Sequence, residues 1–212
     1  MVKKENLRVA YSLSSSQDSI DLYKEWASTY DADFAIKNDY RSPFKVAKYF
    51  KRYSDNFDTP ILDVGAGTGL VGQCLATQKT MEITAMDISS EMLEIAKAKN
   101  VYSKFITSDL TKPLDIANNQ YGAIVSAGTF THGHVGPEAF DELLRILKPN
   151  GLFVVSIHSE VFKEKGFKKK ILEIEHLITR PSFHKVSIYG LKPDKKYGND
   201  KVFITVFRKK VL

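Results

Sequence analysis

Ile61-Leu62-Asp63-Val64-Gly65-Ala66-Gly67-Thr68-Gly69 decides the fold class. An apolar run ends in an acid and a glycine-dense turn, and Leu70, Val71 and Leu75 follow at helical spacing. The stretch reads as strand, tight turn, helix. Glycine tolerates positive φ and has no Cβ, so a ligand can lie against bare backbone at such a turn. The turn also delivers that ligand to the positive end of a helix. A dinucleotide site needs G-x-G-x-x-G/A, with an acid about 20 residues on. Here the third glycine comes one position early, and Leu70 fills the slot for Gly or Ala. A Walker loop fails for lack of Gly-Lys-Ser/Thr. An ordinary βα turn stays open as the plain alternative.

Strands and helices alternate downstream of the turn. Strands are expected at Pro60–Val64, Glu82–Met86, Lys104–Thr107, Tyr121–Ser126 and Leu152–Ile157. Helices are expected at Gly69–Gln78, at Glu91–Lys99 behind Ser89 or Ser90, and at Glu138–Leu147, stopped by Lys148-Pro149-Asn150-Gly151. That rhythm predicts an α/β, Rossmann-like, doubly wound sheet. Lys165–Leu177 then reads as a helix, and Lys185–Tyr189 and Lys201–Arg208 as strands. With turn residues at 192–194 and 197–200 between them, these strands form an antiparallel C-terminal hairpin at the sheet edge.

Upstream, residues 1–20 are polar and Ser-rich. Ile20, Leu22, Tyr23, Trp26 and Tyr30 then recur at helical spacing, with Asp18 or Ser19 as N-cap. A second helix runs from Pro43 to about Tyr53, with Phe44, Ala47 and Phe50 inward. Residues 1–55 are read as an extension and helical lid of one domain, and 56–212 as its core. The 212-residue length suits one such domain. Lys and Arg exceed Asp and Glu by 31 to 25, a net charge of +6. This mild excess admits nucleic acid or an acidic substrate, although a solvated surface accounts for it as well. The single cysteine, Cys74, sits at a helix core position and can form no internal disulfide. No apolar run approaches a membrane span, and no secretory signal is visible, so a cytoplasmic location is expected.

Two acids extend the glycine turn into a candidate site. Asp87 ends the second strand, and its two oxygens can accept from both hydroxyls of a ribose; capping the next helix is the alternative. Asp109 ends the third strand, where it can accept from an adenine amine with Leu110 against the ring; an Asx turn is the alternative.

Together these residues resemble the class I S-adenosylmethionine-dependent methyltransferases. Leu62 to Gly69 looks like the family's first motif, Asp87 like its ribose acid, and Ser108-Asp109-Leu110 like its adenine segment. Leu143 to Gly151 is similar to the family's entry into the fifth strand, with Asn150 where Gly is usual. The resemblance implies a seven-stranded sheet with one antiparallel strand, and S-adenosylmethionine as cofactor, released as S-adenosylhomocysteine. It implies that Asp63 and Gly65 lie near the methionine amine and that Gly67 lies under the cofactor. Ala66, Thr68, Gly69, Ile88, Met92 and Ala127 complete the implied cofactor shell.

Trp26 to Phe34 looks like the lid of small-molecule and protein methyltransferases of this class. Tyr30 is a candidate to face the sulfonium or the cofactor carboxylate, and Arg41 to pair with a carboxylate. Lid packing and surface charge are the plain alternatives. The segment Ser126 to Pro137 follows the fourth strand, where methyl acceptors dock. It lacks the Asn/Asp-Pro-Pro-Tyr/Phe of amino-methylating enzymes and the cysteine of pyrimidine-carbon methylation. It is similar instead to small methyltransferase-like proteins, among them the vertebrate protein named after the Williams–Beuren region. His132 and His134 in this segment are candidate general bases, with loop-shaping hydrogen bonds as the alternative. No metal is expected, because no nearby Cys or acid completes a ligand set. The expected activity is methyl transfer to an oxygen or nitrogen of a small-molecule substrate. RNA or protein methylation is the second reading, drawn from the basic run 163–170 with Lys192, Lys195, Lys196, Lys209 and Lys210. A cofactor-binding protein that acts through partners without turnover is the third.

Overall fold

A computed structural model describes residues 9, 16–76, 81–133, 135–190 and 198–211. Seven strands form one sheet in the order β3-β2-β1-β4-β5-β7-β6. They are β1 (Ile61–Val64), β2 (Ile83–Asp87), β3 (Lys104–Thr107), β4 (Tyr121–Phe130), β5 (Leu147–His158), β6 (Ser182–Ser187) and β7 (Lys201–Arg208). The first five run parallel, and β7 is inserted antiparallel between β5 and β6. The doubly wound sheet with a closing antiparallel hairpin is as expected. The order reverses between β1 and β4, and their carboxyl ends open the crevice where ligands of such sheets bind.

Burial follows the pairing. β1 is buried at every position, as an interior parallel strand must be, whereas edge strand β6 alternates between half-buried and exposed. Side chains of successive residues serve two separate cores. Leu62, Val64, Phe153 and Val155 join the core on one face, under α5 (Ala139–Ile146), α6 (Val161–Glu164) and α7 (Phe167–Glu173). Ile61, Ala123, Val125 and Val154 join the other, under α1 (Ser16–Trp26), α2 (Ser42–Tyr53) and α3 (Leu70–Leu75). Asp63 falls in the second phase, among apolar neighbours.

Several elements depart from expectation for identifiable reasons. The helix expected over 165–177 is broken by Gly166, which adopts φ 82° between α6 and α7. Phe44 lies on the outer side of α2, half exposed, and Pro43, Val46, Ala47 and Phe50 face inward instead. β4 runs on to Phe130, past the expected end at Ser126, through a register irregularity against β5. The sixth strand is Ser182–Ser187, earlier than the expected 185–189. The helix α4 (Ser90–Ala98) begins on the Ser89 side chain, which accepts from the Met92 N–H at 3.2 Å. The far end of the helix expected at 69–78, and the turn residues 192–194 and 197, lie outside the described residues. No helix among the described residues is long and apolar enough to cross a membrane.

Between α1 and α2 the chain makes a π-helical turn, Asp31–Ile36. Such turns interrupt the regular ladder and recur at functional sites. This one directs Tyr30 and Phe34 into an aromatic cluster with Tyr23, Trp26 and Tyr40. The far end of this segment is stitched to the chain after β6: the Arg41 N–H donates to the Ile188 carbonyl at 2.7 Å and the Gly190 N–H to the Asp39 carbonyl at 2.9 Å.

Candidate active site

The glycine turn crosses the carboxyl end of β1 with three residues in the left-handed region: Gly65 (φ 62°), Gly67 (φ 53°) and Gly69 (φ 88°). Their surroundings differ. A Cβ on Gly65 would collide with the Thr129 hydroxyl, which itself donates to the Val64 carbonyl at 3.0 Å. A Cβ on Gly67 would meet nothing within 4 Å, because that residue fronts a cavity of about 380 Å³. This volume lies within the range of small-molecule and cofactor sites, ~300–1,000 Å³.

Asp87 stands at the cavity wall at the end of β2. Its Oδ2 accepts from the Gly67 N–H at 2.8 Å and its Oδ1 from the Ser89 N–H at 2.9 Å. The carboxylate thus ties the turn to the start of α4 while keeping lone pairs for further donors, since it can accept about four bonds. Burial pushes its carboxyl up, and the N–H groups of Ser89, Gly67 and Ile88 oppose that. Asp109 makes an Asx turn, Oδ1 accepting from the Thr111 N–H at 2.9 Å and hydroxyl at 2.7 Å. Burial pushes the Asp109 carboxyl up, but Thr111, Ser16 and Lys112 together outweigh it and hold the group below the usual range.

The helical residues before β1 cover this wall. Tyr23, Tyr30 and Tyr40 line the cavity with Pro43, opposite Gly65 to Thr68. Burial raises all three phenols, Tyr40 to about 12, so they are neutral donors with intact π faces at physiological pH. The lid is held down by Asp31. Its Oδ1 accepts from the Thr68 hydroxyl at 2.6 Å, and its Oδ2 from the Lys99 ammonium at 2.6 Å.

Of the residues chosen from sequence, Tyr30, Gly65, Ala66, Gly67, Thr68, Asp87, Ile88, Met92, Asp109, Leu110 and Ala127 all line the one cavity. Four others stand elsewhere. Asp63 is fully buried beneath α3, its Oδ2 accepting from the Tyr102 hydroxyl at 2.7 Å; that hydroxyl in turn accepts from the Gly72 N–H at 3.1 Å. Its Oδ1 has no hydrogen-bond partner among the described residues, and burial pushes the carboxyl up to about 7 against the lowering effect of Tyr102. Gly69 packs against Tyr102 and Ala96. Arg41 turns to Asp39, its Nε 2.5 Å from a carboxylate oxygen. His132 stands beyond the cavity, beside Glu160 and His158. His134 lies outside the described residues. Sequence reasoning missed Tyr23 and Tyr40 as lining residues, because their spacing reads as plain helix packing.

A second, smaller cavity of about 60 Å³ shares Tyr23, Tyr30, Tyr40 and Gly128 with the first. Beyond those residues it is lined by Trp26, Phe34 and Tyr189, with Thr131, Ser156 and His158 as polar points. His158 ends β5 and was not singled out from sequence. Phe130 of β4 pairs with Ile157 of β5, so His132 and His158 emerge side by side, ring centres 4.6 Å apart. The Nε2 of His132 is 3.2 Å from a Glu160 carboxylate oxygen. The expectation of no metal rested on the lack of an acid near residue 132, and the fold supplies one from the end of another strand. Burial and His132 hold the His158 imidazole below the usual histidine range, against Asp200 and Glu160.

The basic stretch is partly committed to the fold. Lys209 Nζ donates to the carbonyls of Leu144 and Leu147 at 2.8 Å, closing the end of α5, and Lys210 donates to the Glu175 carbonyl at 2.9 Å. Lys170 pairs with Asp141. Lys192, Lys195 and Lys196 lie outside the described residues.

A glycine-turn Rossmann-like sheet with an acid after β2 and a lid over both defines a nucleoside-cofactor protein of the doubly wound class. Comparison with known proteins narrows the class. A family profile described as a methyltransferase domain matches residues 62–155. Human methyltransferase-like protein 27 is 29% identical over 152 residues, 70% of this chain and 61% of that protein. The malonyl-[acyl-carrier protein] O-methyltransferase of Halalkalibacterium halodurans is 38% identical over 103 residues, 45% of this chain and 38% of that one. The structure of phosphoethanolamine N-methyltransferase 2 from Haemonchus contortus, bound to phosphomonomethylethanolamine and S-adenosylhomocysteine, superposes with TM-score 0.66 at 15% identity. It covers 95% of this chain and 61% of that one. Over residues 62–155 the chain is similar to the methyltransferase-domain family, and its fold is that of S-adenosylmethionine-dependent methyltransferases, the family its first motif resembles. It spans 61% and 38% of the lengths of the two curated relatives. The cavity fits the family's cofactor, with bare left-handed backbone at Gly67, a carboxylate at Asp87 and neutral aromatic faces opposite.

Proposed function

We propose that the chain transfers the methyl group of S-adenosylmethionine to an oxygen or nitrogen of a small-molecule acceptor. The observation that carries this reading is the meeting of two cavities of unequal size across Tyr30, Tyr40 and Gly128. The larger suits the cofactor and the smaller the reacting end of an acceptor. Asp87 would receive the ribose hydroxyls, Gly67 would let the cofactor lie on backbone, and Asp109 with Leu110 would bound the adenine. Residues 18–55 would act as the lid, closing the larger cavity against water.

When bound, the cofactor supplies an electrophilic methyl on a sulfonium, already reactive toward a positioned nucleophile. The chain's task is then orientation, which can account for several kcal/mol of the barrier. Tyr23, Tyr30 and Tyr40 present π faces suited to a cationic sulfur, worth ~0.5–2 kcal/mol. In the metal-free chain the acceptor's proton would leave toward the His158 imidazole, which lines the smaller cavity. Two similar proteins, an O-methyltransferase and an N-methyltransferase bound to phosphomonomethylethanolamine, favour small acceptors of this kind. The commitment of Lys209, Lys210 and Lys170 to internal partners weakens the RNA reading.

Cofactor labelled on its methyl group, incubated with the chain and cell extract, tests the proposal. Label in the small-molecule fraction supports it. Label in RNA or protein, or none despite S-adenosylhomocysteine binding, overturns it in favour of the second or third reading.

A further inference from the structure

The side chains of His132, His158 and Glu160 form a cluster outside the cofactor cavity. One donor atom from each, two imidazole nitrogens and a carboxylate oxygen, lie within 4.8 Å of one another. They come from three places: the loop after β4, the last residue of β5, and the turn before α6. We propose that these three residues bind a divalent transition metal of the zinc class, with Asp200 orienting His158.

Ligand chemistry selects the metal. Two imidazoles and one carboxylate match the three-protein-ligand sites that zinc uses when a fourth position stays open. Magnesium and calcium prefer all-oxygen shells, so two imidazoles discriminate against them. Donors around a tetrahedral zinc stand about 3.4 Å apart, given bonds of ~2.0–2.2 Å. The cluster therefore needs to close by about an ångström. Glu160 has the freedom for this, with its side chain 64% exposed, while His158 is anchored at 3%. The Asp200 carboxylate lies 3.8 Å from His158 Nε2, longer than a hydrogen bond, and His158 Nδ1 accepts from the Glu160 N–H at 3.4 Å; Asp200 closing on Nε2 would fix the ring and tautomer and leave Nδ1 for the metal. The site also has a direction. His158 lines the small cavity next to the tyrosine cluster, so a fourth coordination position opens on that chamber. An acceptor bearing an oxyanion is the substrate class such a metal would hold. That last clause rests on the methyl-transfer reading, whereas the metal site does not.

The test uses the full chain, stripped with chelator and titrated with Co2+ followed by visible d–d absorption, then with Zn2+ in competition by calorimetry. One equivalent of Co2+ with a tetrahedral or five-coordinate spectrum, displaced by Zn2+ and untouched by excess Mg2+, is expected. Glu160→Gln and His132→Ala, both at partly exposed positions, should each abolish the band, and Asp200→Asn should weaken binding by about 10- to 100-fold. Each variant should retain the S-adenosylhomocysteine affinity of the parent, which establishes its fold independently of the metal. No band, or a band that survives both Glu160→Gln and His132→Ala, overturns the site whatever the outcome for methyl transfer.

Discussion

Asp31 and Thr68, 37 residues apart, meet at 2.6 Å, the lid carboxylate accepting from the hydroxyl of the glycine turn. The same carboxylate receives the Lys99 ammonium. One acid in the π-helical turn therefore ties the segment before β1 to the glycine turn and to the end of α4. Charge-assisted bonds of this sort contribute ~1.5–3 kcal/mol when sheltered, and Lys99 is only 13% exposed.

Loss of the latch should act on cofactor retention. Asp31→Ala is expected to weaken S-adenosylhomocysteine about tenfold, mostly through faster dissociation, with a loss of about 1.5–3 kcal/mol in overall stability. A double-mutant cycle with Thr68→Val should give a coupling near 1 kcal/mol. Additive effects in stopped-flow dissociation would count against the latch.

Asp87→Ala removes the acceptor proposed for both ribose hydroxyls. At ~1.5–3 kcal/mol per bond to a charged group, binding should fall by at least about 100-fold. Gly67→Val forces a β-branched residue to φ 53° and projects it into the cavity, so it should abolish binding. Calorimetry with S-adenosylhomocysteine reads both, and unchanged affinity in either variant would refute the cofactor assignment.

Asp63 predicts a pH effect on stability. Burial lifts its folded pKa to about 7, above the ordinary 3.8. The folded state holds this proton more tightly than the unfolded one, so the contribution is greatest below the ordinary value. It declines as pH rises toward 7 and is fully lost above it. Compared with Asp63→Asn, the parent should lose on the order of 2–3 kcal/mol between pH 5 and pH 8. Parallel urea-denaturation curves at the two pH values would exclude a buried titrating Asp63. Tyr102→Phe deletes the donor to that carboxylate and should push the decline to higher pH.

Gly65→Ala addresses packing rather than binding. The new methyl would meet the Thr129 side chain at a left-handed backbone position. A loss of about 1–3 kcal/mol is expected, relieved in part by Thr129→Ala, which removes the hydroxyl that the new methyl meets. Thermal unfolding of the single and double variants decides it, and an unaffected midpoint in Gly65→Ala would show that the turn tolerates a side chain.

Much of the parallel core was legible without coordinates. The apolar runs of β1, β4 and β5 and the acids that follow β2 and β3 lie within short windows, where period and punctuation report local structure. The helix expected over 165–177 is shortened at both ends, to Phe167–Glu173: it starts after Gly166, whose left-handed φ no periodicity reveals, and stops at Ile174. Phe44 failed because an amphipathic pattern gives a face only approximately, and α2 is rotated so that Val46 and Ala47 fill the core. His158 went unnoticed because it directly follows the mostly apolar run 152–157.

The sequence by itself determined the glycine turn, the alternation of strands and helices, and the family they resemble, since backbone permissiveness at Gly65, Gly67 and Gly69 and hydrophobic period are local properties. Only the tertiary structure decided what faces what. The side of the sheet taken by Asp63, the grip of Asp31 on Thr68, and the meeting of His132 with His158 and Glu160 depend on pairing register and helix rotation between distant segments. Those are set by the packing of the whole core, which no short window of residues contains.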